Sequence, residues 1–188
     1  AWWHYISTPS ITAATWNGLP LTPTLTASNP SCGESCKASI YILPNPPAAT
    51  ANTSISFSSA PTAAVVGTIS FTGVDPTTPV GSAVPAIGSG SPASVTVPSA
   101  SGEVVLDCMA SLAAGSIPTV ASGQTSNFST FDTAGFTHNA SSYVAGVPST
   151  VSAWTLSGSP QWAMLGLPIK PVGGGGGGGS TPGTQRVI

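Results

Sequence analysis

Apolar residues in this chain come in short runs, and Pro, Gly, Ser and Asn cut between them. In TSISFSS, Ile55 and Phe57 alternate with serines, the period of a strand with one buried face. AAVVGTISFTGV is more continuously apolar and predicts a central strand. ITAATWNGLPLT sets Asn17 and Gly18 between two extended runs, a strong hairpin signal, because a type I′ turn needs positive φ at both central positions. ASIYIL, ASVTV, EVVLDCMA, SNFSTF, SSYVAGV, VSAWTL and WAMLGLPI add further strands. MASLAAGS has room for one helical turn before Gly115 and Pro118 stop it.

The pattern predicts about ten short strands and no amphipathic helix. The expected fold class is therefore all-β, an antiparallel β-sandwich of jelly-roll type with extended terminal segments. Residues 1–10 form an N-terminal aromatic segment that could be an edge strand or an exchanged one. Residues 11–172 form the sandwich, and residues 173–188 a Gly-rich linker with an extended tail.

Composition narrows the setting. Charged residues are 4% of the chain, against about 25% in an average globular protein. A surface with so few charges has little protection against association, so glycans or partner subunits are expected to cover it. Lys37, Lys170 and Arg186 are scattered and the net charge is -2, which argues against nucleic acid. No apolar run approaches the roughly 20 residues of a membrane span. The sequence opens on Ala1 without Met, as expected of a secreted product whose signal has been removed, so an extracellular or cell-surface location is expected.

Cys32 and Cys36 bracket CGESC, where Gly33 lets the loop curl tightly enough for a local disulfide. Two free thiols, or half of a metal site, are the alternatives. Cys108, inside VVLDCMA, reads as a buried thiol rather than a nucleophile.

TWNGLPLT, VVGTISFTGVDPTTPVGSA, SGEVVLDCMA and WTLSGSPQWAMLGLPIKP together resemble, in this order, a group of largely uncharacterised bacterial extracellular β-sandwich domains of surface and secreted proteins. The resemblance runs from about Ile11 to Pro171 and implies fold and compartment, with no activity to carry over. Such domains usually open with an apolar strand and a connecting stretch, whereas this chain has only AWWHYISTPS. A sandwich short of a strand exposes unpaired backbone, so something is expected to cover that groove.

Catalytic groups are scarce. A Ser-His-Asp arrangement would have to use His4 or His138, and no G-x-S-x-G elbow occurs. Paired carboxylates would have to come from Glu34, Asp75, Glu103, Asp107 and Asp132. Asp75 precedes Pro and reads as a turn cap, and Glu103 follows Ser101-Gly102 at a turn; Asp107 stands out inside an apolar strand. An enzyme is not expected, nor is a cofactor. Bound calcium stays open, since backbone carbonyls can supply its oxygen ligands. Sequons at Asn52, Asn127 and Asn139 are candidate glycosylation sites.

The terminal segments carry the functional expectation. In an extended strand Trp2 and Trp3 face opposite sides, so burying one exposes the other to a partner subunit or a sugar. Tyr5 belongs to the same cluster. At the other end, glycines including Gly173, Gly176 and Gly179 suit a segment crossing a narrow contact, and Arg186, Val187 and Ile188 lie at the tip. The expected function is a structural subunit of an extracellular fibril or pilus-like helical homopolymer, joined by tail or strand exchange. Sequence does not choose between the two termini. The alternative is a carbohydrate-binding or adhesive module.

Overall fold

A computed structural model describes residues 2–6, 9–32, 36–112, 116–132, 137–173 and 183–186. Strands are numbered in chain order. The middle of the molecule is a five-stranded antiparallel sheet in the order β13 (Thr125–Asp132), β14 (Thr137–Ala145), β11 (Val104–Leu112), β16 (Gln161–Ile169) and β9 (Val84–Ser89). One cover is a sheet of β4 (Thr22–Asn29), β5 (Cys36–Ile42), β1 (Trp2–Ile6) and β7 (Ala63–Gly67), in that order. The other is β10 (Ala93–Val97), β15 (Thr150–Thr155) and β12 (Thr119–Val120).

The pleat of β11 accounts for this layering. Successive side chains of a strand point to opposite faces. Val104, Leu106, Cys108 and Ala110 pack with Ala38, Ile40, Leu165 and Leu167 in one core. Val105 and Met109 pack with Val95, Val97, Trp154 and Met164 in the other. With both faces covered, β11 is buried at every position except Leu112. EVVLDCMA and WAMLGLPI read as continuous apolar runs for this reason.

A smaller sheet of β3 (Leu19–Pro20), β2 (Ile11–Trp16) and β6 (Thr53–Phe57) carries its own cluster around Ala14 and Leu21. Asn17 and Gly18, at φ 50° and 74°, form the anticipated turn between β2 and β3. A final pair joins β8 (Ile69–Thr72) to β17 (Gly183–Arg186).

The described residues hold seventeen strands rather than about ten. Part of the excess is short pieces such as β3 and β12. Another part is AAVVGTISFTGV, which is not one central strand: it breaks at Thr68 into β7 and β8, which join different sheets. Nor does MASLAAGS start a helix, since β11 stays extended through Leu112. Here the ladders to β14 and β16 override a weak local preference.

Gly166 lies where β16 packs against β10. A Cβ there would lie 2.3 Å from Cγ2 of Val97. Gly166→Ala is expected to lose about 1–3 kcal/mol by overpacking. The check is a lower denaturant midpoint at unchanged slope; an unchanged midpoint would mean the two sheets are less closely apposed.

Candidate assembly interface

β1 holds an interior place. Its residues pair antiparallel with β5 on one edge, from Trp2↔Ile40 to Ile6↔Cys36. On the other edge they pair with β7, from Trp2↔Gly67 to Ile6↔Ala63. For residues 1–10 an edge strand or an exchanged one was expected; residues 2–6 are paired on both edges, which is not an edge position. β1 also lies across β11, so it is part of the cover over the first core. Without it, β5 and β7 would face one another across a gap of about two strand spacings, roughly 10 Å. Each buried backbone group left unpaired there would cost about 1–3 kcal/mol.

The C-terminal segment meets the same body at β8. Pro171 bridges Val74, and the Val172 amide donates to the Gly73 carbonyl at 2.8 Å. Gly173 then turns out of the ladder at φ 82°. The chain comes back as β17, with Gly183 opposite Thr72 and Arg186 opposite Ile69. Gly176, Gly179, Val187 and Ile188 lie outside the described residues, as do the side chains of Trp2, Trp3, Tyr5 and Arg186.

β8 also walls a cleft of about 860 Å³. Trp16, Tyr41 and Phe71 supply aromatic surface, and Asn45 and Asp75 polar atoms at the rim. Burial raises the Tyr41 phenol above its ordinary pKa. The amides of Thr78 and Thr77 hold the Asp75 carboxylate below its ordinary pKa, which is the anticipated turn cap. Glu103 is likewise local, accepting from the Ala100 amide at 2.9 Å.

Cys32 and Cys36 are joined by a disulfide with Cα atoms 5.5 Å apart, and Cys108 is a buried free thiol. The sequons separate by environment. Asn52 is exposed, and Asn127 is half-buried with its amide donating to Ser141 Oγ. Asn139 is 1% exposed within β14, donating to Thr137 Oγ1. A glycan at Asn139 would require opening the middle sheet, so burial removes it from the candidates.

His138, just upstream of the run SSYVAGV, is buried in β14 with its ring edge-on to Phe131. Burial lowers its pKa, and its Nε2 has no hydrogen bond among the described residues. Asp107 is the larger surprise. It lies wholly within the second core and accepts from the Ser142 amide, the Ser142 hydroxyl and the Trp154 indole N–H. Ser152 stands near enough to favour the charged form slightly, though its hydroxyl lies outside hydrogen-bond geometry. Desolvation outweighs these donors and lifts the Asp107 pKa to about 6. Ser142 pairs with Asp107 and sits four residues along β14 from His138, which puts the carboxylate and imidazole about 13 Å apart, too far for an acid-base pair.

Among the described residues no three His, Cys, Asp or Glu side chains converge as a metal group, and no helix is long and apolar enough to cross a membrane. Comparison with protein-family models, curated proteins and solved structures gives no match.

Two measurements check this chemistry. Titrated with a thiol reagent, the native protein should show no reactive cysteine, and the denatured, unreduced protein only Cys108. For Asp107, the folded pKa lies above the unfolded one. Its contribution is therefore complete below about pH 4 and is lost as pH rises through about 6. A carboxyl held at about 6 instead of its ordinary value corresponds to roughly 3 kcal/mol less stability at pH 7.5 than at pH 4 from this group. Asp107→Asn should flatten that dependence in denaturant titrations; an unchanged pH profile would assign it to other groups.

Proposed function

We propose that the chain is a structural subunit of an extracellular, pilus-like helical homopolymer whose neighbours exchange an extended segment. The observation that carries this reading is the interior position of β1. Both of its partners, β5 and β7, are distant in sequence, and only residues 7–10 connect it to β2. Residues 2–6 of a second copy can make the same two ladders without the loss of a backbone hydrogen bond. Donor strand and acceptor groove are different surfaces of the subunit. Such a contact is heterologous and extends into an open helical filament when its rotation does not close.

Composition supports the reading. Three Lys or Arg and five Asp or Glu oppose packing of copies only weakly. The resemblance to bacterial extracellular β-sandwich domains, jelly-roll-like in expectation, supports the compartment. Asn52 and Asn127 are the sequons a glycan can reach.

A carbohydrate-binding or adhesive module is the second reading, favoured by Trp16 and Tyr41 beside Asn45 and Asp75 in the cleft. A glycan array run with the intact protein and with a Trp16→Ala, Tyr41→Ala pair tests it: binding lost in the pair supports the module.

Deleting residues 1–10 tests the polymer. Electron microscopy of the intact chain should show filaments. The truncated chain should show none and should bind a peptide of residues 1–10. The reading fails if the intact chain makes no filaments, or if the truncated chain makes the same ones.

A further inference from the structure

We infer that β17 pairs with β8 of a second copy of this chain, a contact distinct from the one made by β1. The inference rests on the polymer reading only in assuming that copies meet.

Three observations carry it. First, the pairing is small: four residues, Gly183 to Arg186, against Thr72 to Ile69. Among the described residues β8 and β17 make a sheet of two strands, a unit marginal on its own. Exchanging one copy's β17 for another's therefore disturbs little else.

Second, the link is longer than a return to the same strand requires. The chain leaves beside Gly73, where the Val172 amide donates, and β17 begins opposite the next residue, Thr72. A hairpin closes such a gap with two to five residues. This chain places residues 174–182 in between, six of them glycine. A Gly-rich link of this length spans roughly 15–20 Å on average, and at most about 33 Å when extended. That length gives β17 room to leave its own subunit.

Third, β8 is accessible to an incoming strand. It walls the open cleft lined by Trp16 and Tyr41, while its own Ile69 and Phe71 pack on the first core and hold it in place. A held strand whose edge takes a short, separable β17 can take the same four residues from another copy.

β1 and β17 then play separate parts. β1 reaches over only four connecting residues and fixes direct neighbours, whereas the longer link lets β17 tie copies side by side or across one subunit.

Cross-linking the full chain tests this. Ser70→Cys and Gln185→Cys stand opposite one another in the ladder, and Cys108→Ser removes the remaining free thiol. Equal amounts of ordinary and nitrogen-15-labelled protein are unfolded, mixed, refolded and mildly oxidised, and the linked peptides are weighed. Peptides joining one labelled and one unlabelled chain are expected. Linked peptides of one isotope only, or no link between these positions, would overturn the inference. A second variant lacking residues 174–179 keeps enough chain to return to its own β8 and too little to reach another. It should shift the links to single-isotope products; mixed products from it would also count against the inference. Micrographs of the same samples separate the two proposals, since mixed links without filaments would sink the polymer and leave this pairing standing.

Discussion

Burial of the middle sheet on both faces is the constraint on which the molecule depends. Backbone amides and carbonyls in such a slab have no water to bond, so each must find a partner within the sheet. The nine-residue ladders from β11 to β14 and β16 satisfy that requirement. Side chains there must be apolar, small or internally bonded. Asp107 meets the condition by accepting from Ser142 and Trp154, and even so its carboxylate is costly to ionise. Neither face tolerates water, so each needs a complete cover.

This requirement gives β1 its importance. The cover over the first core is continuous only when β5 and β7 are bridged by a strand. The strand that bridges them comes from a distant part of the chain, and so the identity of the donor is separable from the need for one. A low-charge surface adds little repulsion between copies. Burial of a sheet and completion of its cover thus belong to one chain of causes, and the proposed association of subunits would extend it. The β8–β17 pair is a separate two-stranded sheet, tied to the first core through Ile69 and Phe71 of β8.

Much of the fold was legible in the residue pattern. Alternation in TSISFSS, the Asn17-Gly18 turn and the run WAMLGLPI each report a local rule that the structure obeys. The Cys32–Cys36 disulfide followed from spacing and a central glycine. What escaped was decided by distant partners. Residues 63–74 read as one strand because nothing local signals that β7 and β8 belong to different sheets. SSYVAGV was legible, yet THNA just upstream, with the polar His138 and Asn139, was not among the runs read as strands. Their burial follows from a sheet covered on both sides, which a one-strand pattern cannot reveal. Of the candidate interface, the sequence offered the aromatic cluster and the glycine run; the interior register of β1 depended on β5 and β7, whose placement no short motif encodes.

The most direct test is a helical reconstruction of the assembled protein by cryo-electron microscopy, tracing density from Ile11 back through residues 7–10. The account predicts that this density leaves its own subunit and enters the groove between β5 and β7 of the neighbour. Density that returns to the groove of the same subunit, in a filament held together by other surfaces, would contradict it.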